Sequence, residues 1–100
     1  MNKLHDIKIL KEYFDAKLAG LKPWEIRKDD RGYEVGDWLR LREIVPVPDS
    51  KPVMHQYTGR VLITEVLYIH RGMGLQDGYI VMSERPEDYL ENDYPEEVQQ

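Results

Sequence analysis

Three ionisable side chains of complementary charge, Lys22, Glu25 and Arg27, stand close together in the sequence. Side chains in a strand alternate with period 2, so an extended segment here places Glu25 and Arg27 on one face. The same alternation turns Trp24 and Ile26 toward a core. Ammonium and guanidinium groups donate charge-assisted hydrogen bonds to phosphates and base edges, and a carboxylate accepts them from base amines. The spacing therefore predicts a charged ligand site on one face of a strand.

A second interpretation of Lys22, Glu25 and Arg27 is a surface ion-pair cluster without a ligand. Exposed ion pairs contribute only about 0–1 kcal/mol each, so such a cluster has little consequence for stability. The residues alone give both interpretations equal weight. A structure that shows a cavity beside the three side chains favours the ligand site.

Four further residues join the candidate ligand-binding set because of their chemistry: Lys28, Trp24, Tyr57 and Arg60. Cations extend an anion-binding surface, and a base that stacks on an aromatic ring gains about 1–3 kcal/mol. Trp24 begins a predicted strand beside apolar neighbours, which favours packing over stacking. Arg40 and Arg42 lie on the solvent face of another predicted strand, where they are ordinary solubilising charges. They extend an anion track only if that face continues the surface of Lys22 and Arg27.

Length, charge and cysteine content limit the classes of protein. One hundred residues suit a single domain, and the absence of cysteine excludes disulfides and thiolate sites. No apolar run is long enough for a membrane helix and no secretory leader is evident, so we expect a cytoplasmic protein without a membrane partner. The net charge is −5. Residues 84–100 hold seven acids and one base, which leaves the body of the chain near neutrality.

Apolar periodicity predicts one helix and five strands. Leu10, Phe14, Leu18 and Leu21 recur at helical spacing, and Gly20 ends the helix. Alternating or β-branched runs predict the strands; the proline-rich residues 46–59 are predicted as a long loop. The predicted strands are 4–10, 24–28, 38–45, 60–70 and 79–83.

These elements predict a small α+β domain, a partly closed β-barrel of about five strands with one N-terminal helix. Closure protects the edges of strands this short. The predicted domain spans residues 1–84, and residues 85–100 form an acidic C-terminal tail, for which a short helix and a frayed end are the two alternatives. The tail offers a surface for a basic protein partner.

Several blocks of the sequence resemble known families. The segment Gly20-x-Lys22-x-x-Glu25-x-Arg27 resembles the G-x-K-x-x-E-x-R signature of ASCH domains in the PUA-like superfamily. Other blocks resemble a family of small bacterial and phage proteins known as domain of unknown function 3850, and this resemblance covers residues 4–83. Among these blocks are His5-x-x-Lys8-Ile9, Val35-Gly36-Asp37 and Tyr57-Thr58-Gly59-Arg60. The resemblance implies a PUA-like barrel whose signature segment lines a cleft, and it implies binding of RNA or a modified nucleotide. Lys22, Glu25 and Arg27 are the residues that carry it.

Two alternatives to RNA binding remain open. Some small ASCH proteins resemble amidohydrolases that remove an acyl group from a modified cytidine with a lysine, a threonine and a glutamate. Lys22 matches that lysine and would act as nucleophile or base, with Glu25 as general acid or base. Because Glu25 stands at the position of the threonine, we rank hydrolysis second and lean against an enzyme. The other alternative is a phage-type accessory module that binds a protein through its acidic tail. We expect no cofactor, and the scattered histidines predict no metal site.

Overall fold

Residues 2–87, the part of the chain that the computed structural model describes, form five strands and one short helix. All five predicted strands and the helix are present, and their bounds in the structure are β1 (Leu4–Leu10), α1 (Lys11–Leu18), β2 (Trp24–Lys28), β3 (Trp38–Pro46), β4 (His55–Arg71) and β5 (Tyr79–Pro86). The strands form one mixed sheet in the order β1-β3-β4-β5-β2. Only the β1–β3 pair is parallel; the other pairs within the described residues are antiparallel.

The sheet is open, which corrects the prediction of a barrel. Strands β1 and β2 are its two edges, and no backbone ladder joins them within residues 2–87. Arginine side chains span the space between these edges instead. Arg27 Nη2 donates to the carbonyl oxygen of Lys8 at 2.8 Å, and Arg31 Nη1 donates to that of Asp6 at 2.7 Å. The sheet therefore curves until its edges face each other, but side chains rather than backbone groups bridge the gap.

The apolar core lies on the concave side of this sheet, under α1. Strand β3 alternates as predicted, with Leu39 and Leu41 fully buried and Arg40 and Arg42 on the other side. In the register, Ile7 of β1 pairs with Leu41, so the two strands contribute to the same layer. The buried cluster contains Ile7, Ile9, Phe14, Tyr33, Leu39, Leu41, Val66, Ile80 and Met82.

The buried face of α1 differs from the prediction. Phe14 is buried, but Leu18 is 55% exposed, and Leu21 lies beyond the end of the helix and is exposed as well. The residue that accompanies Phe14 inside is Lys17. Hydrophobic periodicity cannot anticipate a buried lysine, because burial of its charge depends on partners from distant strands. Gly20 follows the helix at φ +75°, the left-handed conformation expected just past a helix end.

The loop predicted at 46–59 is shorter than expected. Strand β4 begins at His55, and its first residues pair with the end of β3, for example Tyr57 with Ile44. A register shift between Arg42 and Ile44 marks a bulge in this hairpin. Residues 51–60 are all exposed, so the hairpin extends beyond the core and shows no burial pattern that would identify a strand.

Strand β5 continues to Pro86, two residues past the predicted end of the domain at residue 84. The predicted short C-terminal helix and most of the acidic tail lie outside the described residues. Among residues 2–87, no helix combines the length and the apolar character that a bilayer crossing requires.

A buried polar pair fixes the start of β1. The Nε2–H of His5 donates to Asp37 Oδ2 at 2.8 Å, and the backbone N–H groups of Lys3 and Glu34 donate to the same carboxylate. The His5 ring also lies 4.6 Å from the ring of Tyr33, measured between centroids. His5 therefore has a structural role in joining β1 to the turn before β3.

We expect Phe14→Ala to lower the free energy of unfolding by about 3–5 kcal/mol, because it leaves a cavity between α1 and the sheet. Leu18→Ala, on the same helix, should change it by less than about 0.5 kcal/mol, because Leu18 is largely exposed. Urea titration followed by circular dichroism measures both. Equal losses would contradict the packing of α1 described above.

Candidate functional site

Glu25 is the centre of a cluster of charged side chains. Although it is charged, it is only 3% exposed. Arg27 Nε donates to its Oε1 at 2.8 Å, while Oε2 lies 2.9 Å from Lys17 Nζ and 3.3 Å from Lys22 Nζ. The structure thus brings together the three residues of the predicted site. We call Lys17, Lys22, Glu25, Arg27 and Glu84 the Glu25 cluster.

Lys17 is the member of the Glu25 cluster that sequence reasoning missed. It is 5% exposed, and its ammonium group contacts both Glu25 and Glu84. It also donates to the carbonyl oxygen of Trp24 at 2.6 Å. The second oxygen of Glu84 accepts a hydrogen bond from the Thr64 hydroxyl at 2.9 Å. The sequence gives no signal for this network, because Lys17 resembles a solvated helix residue and Glu84 resembles part of the acidic tail.

The pKa values of the two buried carboxylates of the Glu25 cluster are shifted in opposite directions. Burial raises the pKa of Glu25, but the positive charges of Lys17 and Arg27 outweigh it and the pKa is lowered. Burial also raises the pKa of Glu84, and Lys17 only partly offsets this, so the pKa of Glu84 remains above its ordinary value. Glu25 is therefore held as a carboxylate that fixes its cations in place.

The orientation of β2 is the reverse of the predicted one. Glu25 and Arg27 do share a face, as expected, but that face turns inward. Ile26 is 53% exposed and Trp24 is also exposed, so the apolar face meets solvent. Three cations compensate the charge of Glu25, which makes its burial on the inner face tolerable.

A groove lies along the gap between the two sheet edges and extends onto the outward side of β1 and β3. Its volume is about 500 Å³. It is lined by four cations, one carboxylate, one aliphatic residue and one aromatic ring: Lys8, Arg27, Arg31, Arg42, Asp6, Ile7 and Tyr57. We call it the basic groove. The predicted site residues Arg27 and Tyr57 both line it, and Arg42 does continue the surface of Arg27.

A second groove of about 290 Å³ adjoins the basic groove. It is lined by Lys8, Ile9, Leu10, Tyr13, Lys22, Glu25, Ile26 and Arg27, and we call it the Tyr13 groove. Lys22 Nζ lies 5.0 Å from the centre of the Tyr13 ring and 5.7 Å from that of Trp24. Predicted site residues Lys22 and Glu25 therefore open onto a cavity rather than forming a closed ion-pair cluster.

The other predicted site residues lie elsewhere. Lys28 is exposed on the side of β2 opposite to Arg27 and lines neither of the two grooves. Trp24 contributes its backbone carbonyl to the Glu25 cluster, while its ring lies outside. Arg60 belongs to a separate ion-pair cluster, where it donates to Glu43 and to Asp15.

The Arg60 cluster attaches α1 to the β3–β4 hairpin. The guanidinium group of Arg60 lies 4.6 Å from the centre of the Phe14 ring, and its Nε donates to Glu43 Oε1 at 2.9 Å. The hydrogen bond from Arg60, with help from the Thr58 hydroxyl, lowers the pKa of Glu43 to about 2 against the opposing effect of burial. Arg60 therefore supports the fold, and it lines neither of the two grooves.

Neither groove contains a grouping of potential metal ligands. Within residues 2–87, no three His, Asp or Glu side chains are grouped as the ligands of a metal ion would be. Glu25 stands three residues after Lys22, where the resembling amidohydrolases have a threonine. Its carboxylate forms ion pairs with three cations.

Comparison with known proteins identifies the family. The sequence profile of the domain of unknown function DUF3850 matches residues 4–83. The chain belongs to this family. It is also 51% identical over 45 residues to an Escherichia phage P2 protein described as "Uncharacterized 12.9 kDa protein in GpA 3'region". That match covers 45% of this chain and 41% of the phage protein, so it spans about two fifths of the relative.

The family match confirms the DUF3850 resemblance found in the sequence. All residues that line the basic groove, and every member of the Glu25 cluster except Glu84, fall within the matched residues 4–83. The sequence resemblance predicted that phage proteins would be among the relatives, and one of the similar proteins does come from a phage.

We expect Lys17→Met to lower the free energy of unfolding by about 3–5 kcal/mol, because it leaves two buried carboxylates without their shared counter-charge. Lys22→Met is the matched control and should cost about 1 kcal/mol, since Lys22 contacts only one of these carboxylates and is less buried. Chemical denaturation at neutral pH measures the two losses. A similar loss for both variants would contradict the central role of Lys17.

The low pKa of Glu43 makes stability depend on pH. The folded-state pKa of about 2 lies below the ordinary value of 4.5, so ionised Glu43 stabilises the fold above about pH 4.5. This stabilisation is lost as the pH falls through 4.5 toward 2. Glu43→Gln should therefore be destabilising at about pH 6, and its difference from wild type should shrink on acidification. Urea titrations of both proteins across this range provide the measurement, and a constant difference would refute the assignment.

Proposed function

We propose that this domain binds RNA or a nucleotide-like ligand in the basic groove, with Arg27 as the residue that links the groove to the Glu25 cluster. The observation that carries the proposal is the lining of the groove, in which four cations surround a cavity that also contains an exposed tyrosine. A volume of about 500 Å³ lies within the range of pockets that enclose small ligands.

The charge of the groove suits phosphate groups. Lys8, Arg27, Arg31 and Arg42 face a single carboxylate, Asp6. The Arg40 side chain lowers the pKa of Asp6 through a hydrogen bond, so Asp6 stays ionised and keeps Arg40 and Arg42 in place. A fixed array of guanidinium groups loses little freedom when it binds a phosphate, which favours affinity.

The aromatic wall of the groove suits a base or another planar group. The guanidinium carbon of Arg42 lies 4.1 Å from the centre of the Tyr57 ring, so the cation stacks on the ring. Tyr57 itself is 47% exposed. Nucleic-acid-binding proteins combine phosphate-binding cations with such stacking surfaces. A simple inorganic anion would use the cations but not Tyr57.

The resemblance to ASCH domains supports the same proposal. The signature residues Lys22, Glu25 and Arg27 meet at the boundary between the two grooves. In this arrangement Glu25 holds Arg27 from the inside, while Arg27 Nη2 reaches the opposite edge of the sheet. We assign to Glu25 a positioning role and to Arg27 direct contact with the ligand in the basic groove. Lys22 would contact a ligand that extends into the adjoining Tyr13 groove, which Lys22 lines. A PUA-like origin of the fold is part of the proposal.

We expect Arg27→Gln to weaken binding of a short single-stranded RNA about tenfold, because it removes one charge-assisted contact. The slope of the logarithm of the affinity against the logarithm of salt concentration should fall by about 0.7. Lys28→Gln is the matched control: it removes the same charge one residue away, on the opposite side of β2, and should leave affinity unchanged. Fluorescence anisotropy with a labelled oligonucleotide measures both.

Circular dichroism and thermal melting check that Arg27→Gln retains its fold, and Arg42→Gln provides a second groove variant. Equal and weak binding by wild type, Arg27→Gln and Lys28→Gln at physiological salt would refute the proposal. If inorganic phosphate binds as tightly as a nucleotide, the base contributes no affinity, and the groove is an anion site rather than a nucleotide site.

A further inference from the structure

We propose that the basic groove and the Tyr13 groove form one continuous track for a single strand of nucleic acid, with Tyr57 and Tyr13 as stacking surfaces toward its two ends. The phosphate between the stacked bases would lie at Lys8 and Arg27. This inference rests on the proposed function and deepens it, because it names an extended single strand rather than a mononucleotide as the ligand.

The continuity of the track follows from its shared residues. Lys8 and Arg27 line both grooves, one from each edge of the sheet. The hydrogen bond from Arg27 Nη2 to the Lys8 carbonyl crosses the gap at that point. The two grooves are therefore neighbours that meet at a pair of cations.

The two tyrosines have similar surroundings. The guanidinium group of Arg42 lies over the Tyr57 ring, and the ammonium group of Lys22 lies over the Tyr13 ring at 5.0 Å. Tyr57 is 47% exposed and Tyr13 is 43% exposed, so each ring has surface left for a base. A cation beside an aromatic ring provides a phosphate contact and a stacking surface at the same place.

The two tyrosines lie at different places along the proposed track. In the sheet register Leu10 pairs with Ile44, and Ile44 pairs with Tyr57, which places Tyr57 about 10 Å from Leu10 across two strand spacings. Tyr13 follows Leu10 in the first turn of α1. Tyr57 lines the basic groove and Tyr13 lines the Tyr13 groove, so in the proposed track each ring stacks on a different base.

The chemistry of the track also favours unpaired bases. The Tyr13 groove offers apolar surface from Ile9, Leu10 and Ile26 beside the tyrosine, which suits the faces of bases more than phosphates. In a duplex the base faces are stacked on one another and are not available to side chains. The track should therefore prefer a single strand to a duplex of the same sequence.

The test measures affinity for a mononucleotide, a dinucleotide, a tetranucleotide and a duplex with wild type, Tyr13→Leu and Tyr57→Leu. We expect wild-type affinity to rise at least about tenfold from mononucleotide to tetranucleotide. Tyr13→Leu should remove most of this rise but keep the mononucleotide affinity, whereas Tyr57→Leu should weaken binding at every length. Tyr68→Leu, which replaces an exposed tyrosine that lines neither groove, is the control and should match wild type.

The outcomes separate the track from the proposed function. Equal affinity for mononucleotide and tetranucleotide, a Tyr13→Leu variant that matches wild type at every length, or a preference for duplex would overturn the track while Arg27-dependent binding stands. Absence of binding to every oligonucleotide would overturn the proposed function and the track together. The substituted tyrosines are exposed, so the variants should fold, and circular dichroism verifies this.

Discussion

The contact of the buried Lys17 ammonium with Glu25 and Glu84 is the interaction on which the rest of the structure depends. It joins three elements that are distant in sequence: α1, the edge strand β2, and β5. Burying these charges costs desolvation energy, which their mutual attraction offsets only while every partner is in place. With Lys17 in place, Glu25 points inward and orients Arg27, and Arg27 in turn reaches across to β1. A charge inside the domain thus determines the geometry at its surface.

The open sheet explains why a groove exists at all. If β1 and β2 were hydrogen-bonded to each other, their backbone groups would fill the space that the basic groove now occupies. Side chains of Arg27 and Arg31 instead satisfy carbonyl groups on the edge of β1. This arrangement also protects an edge strand against pairing with another chain, as charged side chains commonly do. Edge protection and the proposed ligand binding therefore use the same arginine residues.

Local patterns in the sequence predicted the strands well because alternation and β-branched residues are local properties. The inward face of β3 and the helix end at Gly20 were also predictable from neighbouring residues. The orientation of β2 was not, since the rule that places apolar residues inside fails where Glu25 has three cationic partners. Lys17 and Glu84 were missed for the same reason: their burial depends on each other across the fold.

The candidate site was predictable only in part. The family resemblance drew attention to Lys22, Glu25 and Arg27, which line one or both of the grooves. Lys8 belongs to a block that resembles the family but was not assigned to the site, and Arg31 carries no such signal. Their place in the basic groove follows from the curvature that brings the two sheet edges face to face.

The bridge between the edges has one more consequence. Arg27 donates to the backbone carbonyl of residue 8 and not to its side chain. The side chain at position 8 can therefore change without altering the width of the gap. A substitution of the residue 8 side chain would therefore change the lining of the groove and leave this hydrogen bond across the gap in place.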